Sequence, residues 1–175
     1  KAMENHQQAL ALFRKLGKED QIAIVLNAIG GVYNSRGQYD KAMENHQQAL
    51  ALHRKLGEED WIASSLFSIG QVYALWGQYD KAMENHQQAL TLYRKLGKER
   101  DIALSLKAIG GVYNSWGQYD KAIENYQQAL TLLRKLGNEK EIATNLNHMG
   151  WFYESLGKYD KAMENHQQAL AIARR

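Results

Sequence analysis

The chain repeats itself every 40 residues. The segment KAMENHQQAL begins at Lys1, Lys41, Lys81 and Lys161, and its near copy KAIENYQQAL begins at Lys121, with no insertion or deletion between them. A fixed period of this size narrows the possible folds more than any other feature. One unit is a supersecondary piece that cannot bury its apolar side alone, so neighbours must stack into a solenoid. Copies within one chain share a fold, so columns in which they differ are expected outside the core.

Each period reads as two helices, B then A. In the stretch 40–57, Ala42, His46, Ala49, Leu50 and Leu56 recur at helical spacing. Asp40 is the expected N-cap, Arg54 and Lys55 sit at the negative end of the helix dipole, and Gly57 suits the left-handed position after the last turn. Glu58, Glu59 and Asp60 open the next helix, in which Ile62, Leu66, Ile69, Gly70 and Tyr73 form one apolar stripe. Glycines 17, 57, 97 and 137 end B helices, and glycines 37, 77, 117 and 157 end A helices. No segment alternates with period two, and the absence of proline agrees with an uninterrupted helical array. The expected fold is all-α, a right-handed α-solenoid of antiparallel helix pairs. It is read as one solenoid over 1–175: an unpaired helix B at 1–17, then A/B repeats at 18–57, 58–97, 98–137 and 138–175. Because it opens in mid-repeat, the chain is expected to be an excerpt of a longer protein. Apolar faces at both ends would then favour end-to-end self-association.

The net charge of +3 and pI near 9.0 come from Lys and Arg interleaved with Asp and Glu, without the basic stripe of a nucleic-acid face. With no cysteine, thiolate catalysis and disulfides are excluded. No apolar run reaches membrane-spanning length, so neither a nucleic-acid nor a membrane partner is expected, and a cytoplasmic location is the default.

Leu26, Ile29, Gly30, Tyr33, Gly37, Tyr39, Ala42, His46 and Ala49, recurring with changes in each unit, resemble the tetratricopeptide repeat. The chain departs from that pattern in three ways. Leu fills the first aromatic column, His replaces the helix-B aromatic at His46, His86 and His166, and the proline after helix B is missing. The longer, proline-free unit is similar to those of Pins/LGN-type adaptors and bacterial signalling arrays. Those adaptors carry Asn after the helix-A glycine, where this chain has Gly31, Gln71, Gly111 and Trp151, so their specificity does not transfer.

Regularly spaced histidines suggest a metal, but equivalent residues in adjacent repeats lie about 10 Å apart. Zinc needs nitrogens at about 2.0–2.1 Å. His6, His46, His86 and His166 are therefore expected as packed, hydrogen-bonded core residues, and no metal or cofactor is expected. Glu44, Asn45, Gln47 and Gln48 read as a solvated outer face, with Lys41 near Glu44. Gly30-Gly31 and Gly110-Gly111 lie inside helices and lack a nucleotide-loop spacing. No Ser/His/Asp grouping stands out, so no enzyme activity is expected.

Helix B hardly varies between copies, whereas helix A varies on one face. The resemblance implies that A helices line a concave groove that binds peptides. The candidate ligand-binding residues there are Asn27, Asn34, Phe67, Gln71, Leu75, Lys107, Asn114, Asn147, His148, Trp151 and Glu154. Phe67, Leu75 and Trp151 are large and apolar on a face expected to be wet, and such residues mark interaction sites. Trp76, Trp116 and Arg36 are read first as covers of the A–B turn. Lys107 lacks the Asn partner of a carboxylate clamp, so a neutral, partly aromatic peptide fits better. The expected function is a non-catalytic protein-interaction scaffold. The alternatives are a self-assembling array and a regulatory segment of a larger signalling protein.

Overall fold

The computed structural model describes residues 2–174, without the side chain of Ala2. Lys1 and Arg175, the outer bounds of the first and last B helices as read from sequence, lie outside the described residues. Among the described residues the chain is helical throughout: α1 (Ala2–Leu16), α2 (Glu19–Ser35), α3 (Tyr39–Leu56), α4 (Glu59–Leu75), α5 (Tyr79–Leu96), α6 (Glu99–Ser115), α7 (Tyr119–Leu136), α8 (Glu139–Ser155) and α9 (Tyr159–Ala173). The odd-numbered helices are the B helices and the even-numbered ones the A helices. Contacts fall into two compact units, one up to Leu92 and one from Tyr93, with the division inside α5. In the first, α1 packs on α2, α2 on α3, α3 on α4, and α2 also meets α4. In the second, α6 packs on α7, α7 on α8, and α8 on α9.

Helix ends follow the glycine pattern. Gly57 closes α3 with φ 73°, and Glu58 N–H donates back to His53 C=O at 3.1 Å, the double-bonded stop that needs a left-handed residue. Helix starts differ from expectation. Asp40 does not cap α3; Gln38 holds that position without a side-chain bond. The helix begins two residues earlier because Gln38 C=O already accepts from Ala42 N–H at 3.0 Å. Asp40 instead lies in the first turn, where its charge faces the positive end of the dipole. A true side-chain cap occurs at Asn138, whose Oδ1 accepts from Glu141 N–H at 3.2 Å.

Each A–B pair buries small and branched residues, as with Ala23, Leu26 and Ile29 of α2 against Ala42, Ala49 and Leu50 of α3. Burying a Leu or Ile side chain contributes about 1.5–3 kcal/mol. The lysine opening each repeat does not pair with Glu44 as expected. Lys41, Lys81, Lys121 and Lys161 place their ammonium groups 5.3–5.6 Å from the rings of Tyr33, Tyr73, Tyr113 and Tyr153 on the preceding A helix. This cation–π contact ties B to A in every pair.

Candidate binding face on the A helices

The A helices are positioned by a ring lying on a glycine. A Cβ at Gly30 would meet the His46 ring at 2.7 Å, at Gly70 the His86 ring at 2.7 Å, at Gly110 the Tyr126 ring at 2.6 Å and at Gly150 the His166 ring at 2.5 Å. Only glycine leaves room for those rings. Gly31 and Gly111, one residue on, face open space within 4 Å.

The column of Asn27 decides what each ring bonds to. In the first unit, His46 is buried and its Nδ1 lies 2.9 Å from Asn27 Oδ1, while Asn27 Nδ2 donates to Ser65 Oγ of α4 at 2.8 Å. Asn27 is thus fully engaged inside the fold. Phe67 takes the same column one repeat later and packs on His86, centroids 5.2 Å apart, and His86 Nδ1 is buried without a partner. The expectation of hydrogen-bonded core histidines therefore holds at His46 and fails at that nitrogen of His86, because a phenyl ring offers no acceptor. Burial pushes both imidazoles down to about 4. Gln71 and Leu75 are exposed, Leu75 by 60%, and Asn34 is half-buried with its Oδ1 unpartnered.

In the second unit Lys107 holds the column. Its ammonium lies 3.5 Å from Glu141 Oε2, both groups only about a fifth exposed (18% and 20%). Lys107 is a neutralised cation rather than a free one. The ring above Gly110 is Tyr126, whose hydroxyl lies 3.1 Å from Nδ1 of His148 on α8. His148 in turn stacks on Trp151, centroids 5.3 Å apart and planes 29° apart, and Phe152 packs edge-on against Tyr126. Burial, then the charge of Lys107, holds the His148 pKa below its ordinary value, so it stacks as a neutral ring. Burial also pushes the Tyr126 hydroxyl up to about 12. Trp151 is 55% exposed. Asn114 is exposed as well. Asn147 returns to the first pattern, its Oδ1 3.1 Å from His166 Nδ1, and Glu154 Oε1 lies 3.5 Å from His166 Nε2.

Two residues escaped the sequence reading. His53 is fully buried, its Nδ1 3.0 Å from Glu58 and its ring stacked on Trp61. Its column reads Phe13, His53, Tyr93, Leu133 and Ala173, large and mostly buried in the four copies before the last, which could have placed it. Asn145 is buried with both amide atoms unpartnered, in the column where Ser65 and Ser105 stand. Trp76 and Trp116 do pack on turn-proximal tyrosines, Tyr39 at 6.2 Å and Tyr113 at 6.2 Å.

The tetratricopeptide repeat family model matches residues 1–55, 21–95 and 101–175. The chain belongs to the tetratricopeptide repeat family. No curated protein sequence matches it. Among solved structures, this tetratricopeptide repeat chain is similar to BtubC (BKLC) from P. vanneervenii, with TM-score 0.87 and 21% identity over 99% of this chain and 72% of that one. It is also similar to a Rap protein complexed with competence and sporulation factor, with TM-score 0.88 and 22% identity over 98% of this chain and 48% of that one. A third is aspartyl phosphate phosphatase F from Bacillus subtilis, with TM-score 0.84 and 19% identity over 89% of this chain and 41% of that one. The chain spans less than half the length of the last two. These likenesses describe a shared all-helical repeat fold. Among the described residues no group of three or more His, Cys, Asp or Glu is placed to hold a metal ion, and no helix is long and apolar enough to cross a membrane.

Proposed function

We propose that this tetratricopeptide repeat chain is a non-catalytic interaction scaffold, acting in the cytoplasm, that binds a peptide segment on the variable face of its A helices. The observation that carries this reading is Trp151, more than half exposed, with its indole fixed by stacking on His148, itself tied to Tyr126. A large ring held in one orientation at the surface buries much area on binding with little side-chain entropy to lose. Asn114 of the same unit offers a further amide contact, and in the other unit Phe67, Gln71 and Leu75 lie on the corresponding face of α4. Asn27 and Asn147 bond to the buried rings and leave the ligand to their neighbours. With Lys107 neutralised by Glu141, the patch suits an uncharged, partly aromatic peptide. The likeness to a Rap protein complexed with competence and sporulation factor supports a protein or peptide ligand.

The test is selection of peptides from a random library on the whole chain, followed by calorimetry with Trp151→Ala. Binding is expected to weaken at least tenfold while the melting temperature stays within about 2 °C. Undiminished affinity would remove Trp151 from the site.

A further inference from the structure

Asp40 and Asp120 hold the same position two repeats apart, and their surroundings differ. In the second unit Asp120 Oδ1 lies 3.2 Å from Lys158 Nζ, and Leu156 precedes that lysine by two residues. In the first unit the corresponding residues are Asp40, Gln78 and Trp76. Gln78 is neutral, and its Oε1 already accepts from Lys81 Nζ at 2.9 Å. Among the described residues no cation pairs with Asp40, which is exposed. Asp40 lines an open cleft of about 410 Å³ together with Gly37, Gln38, Tyr39, Lys41 and Trp76. The Trp76 and Tyr39 rings meet there at 6.2 Å, tilted by 33°. Trp76 stays 41% exposed. Covering the turn does not require an indole, since Leu156 stands at that position in the second unit and is half-buried. Lys41 turns its ammonium onto the Tyr33 ring, 5.5 Å from the centroid, and leaves the carboxylate without a counter-charge. The cleft opens on the first turn of α3, where the helix dipole favours an anion. Asp40 offsets that field, and the Lys158 ammonium beside Asp120, on the first turn of α7, shows that a cation settles at the same place.

We propose that this cleft takes the guanidinium of an arginine carried by a partner protein, stacked on Trp76 and donating two N–H bonds to Asp40. A carboxylate beside an indole selects that group. The planar fork fits both carboxylate oxygens and lies face-on to a ring. A lysine ammonium has no flat face, and a quaternary ammonium has no N–H to give Asp40. The place that Lys158 fills from within the second unit is filled in the first from outside.

A blocked Gly-Arg-Gly peptide is the probe, titrated into the whole chain and followed by the Trp76 Nε1–H and Asp40 amide signals in NMR. Both signals are expected to move together and saturate at millimolar peptide. Peptides with citrulline or trimethyl-lysine in place of arginine should bind at least fivefold more weakly. Asp40→Asn and Trp76→Leu should each weaken arginine binding at least fivefold, with unchanged circular dichroism. Gln78→Lys removes nothing from the cleft, yet should abolish binding by supplying the internal cation, whereas the uncharged Gln78→Met should not. Lys158→Gln combined with Leu156→Trp should open a second site, read at the Asp120 amide. Trp151→Ala should leave the Trp76 titration unchanged, which separates this cleft from the peptide face above. Equal binding of the citrulline peptide, tighter binding of trimethyl-lysine, undiminished binding in Gln78→Lys, or no Trp76 shift at high millimolar peptide overturns the inference. So does free arginine binding tenfold more tightly than the blocked peptide, since the free amino acid would then be the ligand.

Discussion

His46 and Tyr126 occupy the same place in two repeats, each ring lying on a helix-A glycine, yet their surroundings are wired in opposite directions. His46 bonds backwards, to Asn27 on the A helix of its own pair. Tyr126 bonds forwards, to His148 on the A helix of the next pair, because Lys107 stands where the asparagine would be and is held by Glu141. In the first region the variable column is absorbed into architecture. In the second the ring's polar end is handed to α8, where it steadies His148 and through it Trp151. Where Lys107 replaces the asparagine of its own pair, the ring bonds to the next A helix instead.

The largest expected break between the two regions is in acid. His46 and His86 in the first unit have folded pKa values near 4, below the unfolded 6.5, so their burial contributes stability in full above pH 6.5. Between pH 6.5 and about 4 the unfolded chain takes up protons that the buried rings refuse, and stability falls by up to roughly 3 kcal/mol per ring. Tyr126 carries no proton-accepting nitrogen, and its partner His148 on α8, also held below its ordinary value by burial, shifts stability in the same direction outside α6–α7. Hydrogen exchange at pH 4.5 should therefore show α3–α4 opening well before α6–α7; equal protection would contradict the contrast.

Next in size are the ring contacts themselves. Gly110→Ala should destabilise by about 2 kcal/mol through overpacking against Tyr126, with Ala122 C=O only 3.3 Å from the new carbon. Asn27→Ala should cost a similar amount, about 1–3 kcal/mol, because it leaves His46 Nδ1 and Ser65 Oγ without their partner. Chemical denaturation measures both. Tyr126→His should lower stability by about 1 kcal/mol and loosen Trp151, seen as a red-shifted, more quenchable emission in a background where the other three tryptophans are Phe. Adding Lys107→Asn should restore much of the stability by rebuilding the Asn–His pair, without restoring the Trp151 signal. The smallest effect is of opposite sign. Gly111→Ala, in open helical surface, should stabilise by about 0.5–1 kcal/mol.

The architecture was legible because the repeat prints it. Gly57 and its equivalents mark helix ends through backbone conformation alone, and a glycine recurs at 30, 70, 110 and 150, where the rings approach. The site was legible only as a face. Column variation flagged Asn27 and Trp151 alike, since both lie on helix A, and nothing in a column says whether a side chain is already bonded. The coincidence of two departures, Tyr126 in one pair and His148 in the next, was the available signal for their contact. His53 escaped because a single histidine stands out from its column only when Phe13, Tyr93 and Leu133 are set beside it. The Asp40 cap was misplaced by two residues because a helix can close on backbone groups alone.

The most direct test of the central claim is to record side-chain amide and indole NMR shifts as a selected peptide is titrated into the chain. The account predicts that Trp151 Nε1–H and the Asn114 amide move with saturation while the Asn27 amide stays fixed in its bonds to His46 and Ser65. Shifts centred on Asn27, with Trp151 unmoved, would contradict it.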